Sequence, residues 1–262
     1  MIIRIITAII GLLIFIPLLI VGGWPLFLLI TLLASIGLKE LFRMKNIPLL
    51  SFPAIISMLA LWIFYFNWME PRVLEAIPTN PVEIAFALIL ILLAYSVVVK
   101  NQFTFQDAAF ILLSLGYVGI GFYYFLATRE IGLEYILFIL LIIWLTDSGA
   151  FFFGKYTGKR KLWPAISPKK TVEGFVGGIA CAVVIAVIFQ LNYPIHESMF
   201  VVIIVAIIAS VLGQLGDLVE SALKRSYQVK DSGQLLPGHG GVLDRFDSMI
   251  FMLPFLHFIQ FI

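Results

Sequence analysis

The chain has 262 residues, 62% of them hydrophobic and 12% charged, with a formal net charge of +2 at pH 7 and a mean hydropathy of +1.09. So apolar a composition excludes a soluble domain with a wet surface. Low charge, a single cysteine and no Gly-X-Y period exclude a disordered chain, a disulfide scaffold and a collagen. An integral membrane protein remains, and since each span takes roughly 20 apolar residues there is room for up to about ten.

In chain order, apolar runs separated by polar or Gly/Pro breaks cover 5–21, 25–38, 51–68, 83–99, 106–127, 133–153, 173–191, 199–216 and 246–262. They predict an all-α integral membrane protein of about nine transmembrane helices. Between the first two runs the only break is Gly22, Gly23, Trp24 and Pro25, read as a tight hairpin. The first run follows Arg4 in the manner of a secretory signal. Its apolar stretch is too long for one, and a second span follows with no convincing cleavage site, so it is expected to be retained. Cys181 falls in mid-span and reads as a small apolar residue. The runs divide into N-terminal helices in 1–130, about five, and a C-terminal catalytic region in 131–262, about four, with loops 155–172 and 217–245.

Basic residues orient such a chain, because they concentrate in cytoplasmic loops. The N-terminus and the even-numbered loops hold Arg4; Lys39, Arg43 and Lys45; Lys100; Lys155, Lys159, Arg160, Lys161, Lys169 and Lys170; and Lys224, Arg225, Lys230 and Arg245. Of the 17 Lys and Arg only Arg72 and Arg129 fall on the other side. The expected location is therefore a plasma (inner) membrane, with a cytoplasmic N-terminus, an external C-terminus and both long polar loops facing the cytoplasm.

Just over half of all charge lies in 147–173 and 217–247. A loop that merely obeyed topology would carry Lys and Arg with little Asp or Glu, whereas these stretches mix both signs. Asp147 sits inside the sixth run, roughly 10 Å below its inner end at Gly154. An ionisable residue at that depth is costly and is a functional hypothesis by default. Next comes GKYTGKRKLWPAISPKKTVEG, whose glycines and cations could wrap an anion. Neither Thr171 with Gly174 nor Ser167 with Lys170 forms a capping box there; Glu173, in the first helical turn, suits the helix dipole. Gly174 and Gly178 make a small-xxx-small spacing that permits close helix contact.

The second stretch is GQLGDLVESALKRSYQVKDSGQLLPGHGGVLDRFDS. If 214–227 continues the eighth helix, Asp217, Glu220, Ser221, Lys224, Arg225 and Gln228 share one face and Leu215, Leu218, Val219 and Leu223 the other. Residues 234–241 form a Gly/Pro turn, after which Asp244 and Asp247 enter the last span three residues apart, a spacing at which they could share a hard cation. Carboxylates without a Cys or His cluster suit Mg²⁺ far better than Zn²⁺, and neighbouring Lys and Arg suit phosphate oxygens. The combination points to phosphoryl or nucleotidyl transfer. His239 could serve as acid or base, position its turn or touch phosphate. A transporter would place its charges near the midplane, on repeated halves; here they lie at the cytoplasmic ends of the second half only.

The run from Ser221 to Asp247, SALKRSYQVKDSGQLLPGHGGVLDRFD, resembles the signature of the phosphatidate cytidylyltransferases, with its Ser, Lys-Arg, Lys-Asp, His-Gly-Gly and Asp-Arg-x-Asp elements. The TDSGAFFFG and ISPKKTVEG segments are also similar to that family, so the specific likeness covers roughly 140–250. The resemblance implies synthesis of CDP-diacylglycerol and pyrophosphate from CTP and phosphatidic acid, with Mg²⁺ and with a second cation left open. Asp217, Asp244 and Asp247 would hold the metal. Asp147, Lys224, Arg225, Lys230, Asp231, His239 and Arg245 would be catalytic. Ser167, Lys169, Lys170, Thr171, Glu173, Ser221, Gly240 and Gly241 would bind substrate. The implied partners are the two substrates and membrane lipids, not nucleic acid; a homo-oligomer is left open.

Overall fold

A computed structural model describes residues 2–71, 80–235, 238 and 240–262, with the side chains of 2–5 excepted. Arg72 and His239 lie outside the described residues. Among those described, the order is α1 (Ile2–Val21), α2 (Gly23–Met44), α3 (Phe52–Met69), α4 (Pro81–Val98), α5 (Phe105–Leu115), a π turn (Gly116–Ile120), α6 (Gly121–Ile131), α7 (Leu133–Tyr156), β1 (Lys161–Trp163), β2 (Ser167–Thr171), α8 (Val172–Asn192), α9 (Met199–Ser226) and α10 (Leu243–Phe258). The segment α5, π turn and α6 is one continuous helix, Phe105–Ile131. The nine apolar runs thus correspond one for one to nine continuous helices among the described residues. Seven are long and apolar enough to cross a membrane. The protein is an all-helical membrane protein, with large apolar side chains such as Val97 and Leu113 about three-quarters exposed (76% and 74%) on its outer face.

The break between the first two runs is a separation into two helices, with positive φ at Gly22 and Gly23. Arg129, one of the two cations outside the charge pattern, caps the end of α1. Its Nε donates to the Leu19 carbonyl at 2.6 Å and its Nη2 to that of Ile20 at 2.7 Å, which satisfies carbonyls that a helix terminus leaves unpaired.

Lipid tails are as apolar as leucine, so helices in a bilayer associate by close van der Waals fit and small residues. The spacing of Gly174 and Gly178 serves this end. A Cβ on Gly174 would come within 2.6 Å of the Ala150 carbonyl oxygen, and one on Gly178 within 2.9 Å of that of Thr146, so α8 lies tightly against α7. Gly216 does the same for α9 against α10, where a Cβ would meet the Asp247 carbonyl oxygen at 2.7 Å. Buried polar links add to the fit: Thr146 Oγ1 donates to Ser210 Oγ at 3.0 Å, and Gln214 Nε2 to the Phe175 carbonyl at 3.2 Å.

The two halves of the chain meet around α10. Phe122 of α6 packs on Phe246 with centroids 5.3 Å apart, and Phe15 of α1 reaches the same ring at 6.0 Å. Two features were not foreseen. The stretch read as a glycine-rich basic loop contains a short antiparallel hairpin, β1 paired with β2, and the fifth run is interrupted by the π turn.

Candidate active site

Helices α7, α8 and α9 and the two strands of the hairpin surround a recess of about 350 Å³. Asp147, Ala150, Phe151 and Gly154 of α7 line one side, Lys169 and Lys170 of β2 another, and Gln214 and Asp217 of α9 a third. Asp147, Lys169, Lys170, Thr171 and Asp217, all singled out from sequence, come together here. Lys170 Nζ lies 2.7 Å from Asp217 Oδ2 and donates to the Gln214 carbonyl at 3.3 Å, so the hairpin is tethered to α9 by the cation it brings. Ser221 supports the same carboxylate, its hydroxyl donating to Asp217 Oδ1 at 3.3 Å. Asp147 has Asp217, Lys170 and Arg245 within electrostatic reach. Asp247 has Asp217, Asp147 and Lys224.

The helix before the signature loop extends as the sequence suggested: α9 runs on to Ser226. On its charged face Glu220 is buried and Asp217 and Lys224 are half-buried, whereas Arg225 is exposed and Gln228 falls beyond the helix end; Leu215 and Val219 turn outward, while Leu218, expected with them, is buried. One turn beyond Asp217, Glu220 is fully buried and pairs through Oε2 with Lys224, while its Oε1 has no hydrogen-bond partner among the described residues. Lys224 is shared, since its Nζ also lies 2.6 Å from Asp244 Oδ1. The second Asp244 oxygen accepts from the Ser232 amide at 2.9 Å, the Ser232 hydroxyl at 2.9 Å and the Gly241 amide at 2.8 Å. Asp244 is thus the hub that closes the loop between α9 and α10. Among the described residues Asp217 and Asp247 have fewer partners, Asp247 Oδ1 accepting from its neighbour's amide, that of Ser248, at 2.7 Å.

Other predicted site residues have mainly architectural partners. Thr171 is the N-cap of α8, its hydroxyl accepting from the Gly174 amide at 3.1 Å; a cap is present although a capping box is not. Glu173 accepts from the Lys159 and Arg160 amides at 3.0 and 3.2 Å and fastens the start of the hairpin to α8. Arg225 is exposed and donates to the Ile166 carbonyl at 3.4 Å. Ser167 pairs with Trp163 in the hairpin. Lys230 and Asp231 are exposed on the signature loop. Gly240 adopts φ +83°, which favours glycine.

Three residues were missed from sequence. Gln214, buried, bridges the hairpin and α8. Tyr117, on the π turn, holds a buried hydroxyl without a hydrogen-bond partner in the structure, within electrostatic reach of Asp247, Glu220 and Asp217. Glu40, on α2, accepts from the Val242 and Leu243 amides. A carboxylate inside an apolar run was the available signal for Glu40. It was passed over because the second run was ended at residue 38, whereas α2 continues to Met44.

The donor set fits Mg²⁺ in one specific sense. Among the described residues no three acidic, His or Cys side chains are gathered closely enough to hold a metal ion by themselves. Mg²⁺ ordinarily takes one or two carboxylates and completes its octahedron with water and substrate phosphates. Asp247 and Asp217 are the less occupied carboxylates: Asp217 has one side-chain partner on each oxygen, Lys170 and Ser221, whereas Asp244 takes Lys224 on one oxygen and three donors on the other.

The whole chain has known relatives. The family model described as "Cytidylyltransferase family" matches residues 2–262. A phosphatidate cytidylyltransferase of Staphylococcus epidermidis is 50% identical over 262 residues, which is 98% of each chain. That of Bacillus subtilis is 50% identical over 259 residues, 98% of this chain and 96% of its own, and that of Staphylococcus aureus is 46% identical over 262. Identity at this level across both the membrane helices and the polar loops leaves a single assignment: the chain belongs to the cytidylyltransferase family and is an enzyme of that family.

Proposed function

We propose that the protein joins CTP and phosphatidic acid to form CDP-diacylglycerol and pyrophosphate at the recess between α7, the hairpin and α9. The observation that carries this reading is the pairing of Lys170 with Asp217 at the mouth of a recess that has Asp147 on its wall and lies within a membrane protein of this family. An oxygen of the lipid phosphate attacks the α-phosphorus of CTP. The new P–O bond forms as the bond from the α-phosphorus to the bridging oxygen of the β-phosphate breaks, and pyrophosphate leaves with that electron pair. The lipid phosphate is already anionic at neutral pH, so no strong general base is required. What the site must do is hold two polyanions in line and offset their charge.

Lys169, Lys170 and Arg245 are suited to the phosphate oxygens. Lys224 keeps Glu220 and Asp244 in place behind them, and Asp244 holds the loop that carries Lys230 and Asp231. Asp217 and Asp247, with Asp147 deeper in the recess, are the residues that would hold Mg²⁺. When bound, it would supply charge neutralisation for the phosphates. The recess faces the cytoplasm, the N-terminus is internal and the C-terminus external, a reading supported by the clustering of basic residues on one set of loops.

Purified protein in detergent, given labelled CTP and phosphatidic acid with Mg²⁺, is expected to form CDP-diacylglycerol and pyrophosphate in equal amounts. Intact, monodisperse protein that forms neither would overturn the reading.

A further inference from the structure

Buried carboxylates are expensive unless their oxygens are satisfied, and Glu40 is 5% exposed on α2, far in sequence from the signature loop. All its polar partners lie on that loop or at the helix after it. Oε1 accepts from the Val242 amide at 2.8 Å. Oε2 accepts from the Leu243 amide at 3.0 Å and lies 2.9 Å from the Ser232 hydroxyl.

Val242 is the N-cap position of α10 and Leu243 its first helical residue, and α10 has no side-chain cap of its own. Helix N-termini present unpaired amides and favour negative charge. Glu40 therefore does from α2 what a local Asp or Ser does in most helices. The fit is close: a Cβ on Gly233 or Gly241 would collide with its carboxylate. The second glycine of His239-Gly240-Gly241 is thus small because the Ser232 hydroxyl and the Glu40 carboxylate together occupy the space a side chain would need. Ser232 completes the connection, its hydroxyl lying 2.9 Å from both Glu40 Oε2 and Asp244 Oδ2, and Asp244 in turn holds Lys224.

We propose that Glu40 is a positioning residue for cytidylyl transfer: by capping α10 and gripping Ser232 it fixes the start of the helix that carries Asp244, Arg245 and Asp247 relative to Lys224 and Asp217. The N-terminal half thereby contributes to the chemistry although it supplies no group to the recess. This rests on the reading under Proposed function.

The test is steady-state kinetics of full-length E40Q, S232A and the double variant in detergent, beside wild type. Glutamine keeps the size of the side chain but replaces one acceptor with a donor that faces amide donors. In folded E40Q, kcat is expected to fall about 10-fold or more, the scale for groups that orient a site from behind, with the KM for CTP within about 3-fold. S232A is expected to lose kcat as well. The double variant is expected to lose little more than E40Q alone, because both act through one connection. Folded E40Q with kcat within about 2-fold of wild type, or losses that multiply in the double variant, would overturn the proposal. If E40Q does not fold, S232A decides alone: it leaves the carboxylate and its two amide bonds in place, and its kcat must fall about 5-fold or more. An inactive wild type would sink the reading of the reaction; an active wild type with unimpaired variants would sink the role of Glu40 only.

Discussion

Lys170 Nζ and Asp217 Oδ2 stand 2.7 Å apart, although one residue rides on a short hairpin and the other on a membrane helix. Only a quarter of the Lys170 side chain is exposed (24%). Its charge therefore balances the Asp217 carboxylate in a partly screened setting. Lys170→Met is expected to lower kcat/KM by about 100-fold or more, the scale for removing one preorganised donor to developing negative charge, with Lys170→Arg retaining more activity than Met. Both are checked by initial rates of CDP-diacylglycerol formation.

Asp217 and Asp247 are the carboxylates proposed to hold the cation, each with fewer partners among the described residues than Asp244. Asp217→Asn and Asp247→Asn are each expected to abolish turnover in protein that still elutes as a folded species. Chelation by EDTA should silence the wild type, and added Mg²⁺ should restore it. Near-normal rates in either variant would remove that residue from the metal site.

Lys224 sits between Glu220 and Asp244 and pairs with both. Removing one partner of a buried pair leaves the other charged and uncompensated, at a cost of about 3–5 kcal/mol. Lys224→Met is therefore expected to lower the thermal unfolding midpoint in detergent markedly. Glu220→Gln added to it should recover part of the loss, because it removes one stranded charge.

Orientation is open to chemical labelling. In a Cys181→Ala background, single cysteines at Lys159 and Lys230, both exposed, are expected to react with an impermeant maleimide from the same, cytoplasmic side. Reaction from opposite sides would overturn both the topology and the single site.

Nine apolar runs were enough to find nine helices, because each apolar run is long and each break carries charge, glycine or proline. The charged segments pointed to the recess for a related reason: in a chain this apolar, Asp147 and Asp217 are conspicuous. Sequence spacing could not reveal which carboxylate holds a loop and which is left for a cation. Asp244 and Asp247 are three residues apart and alike in type, yet Lys224, Ser232 and Gly241 occupy the first while the second accepts from the Ser248 amide. Glu40 eluded spacing altogether, since its partners lie some two hundred residues away in the chain.

The π turn at Gly116–Ile120 bears on more than its own helix. A π turn holds one residue more than a regular turn, so everything after it is rotated by about 100° relative to an uninterrupted helix. That surplus residue sets the phase of α6 and with it the seating of Phe122 against Phe246, the residue between Arg245 and Asp247. Deleting one residue from this segment would make the helix more regular while turning Phe122 away from that ring. The irregularity is how a helix outside the lining of the recess nonetheless braces the turn of α10 that carries Arg245 and Asp247.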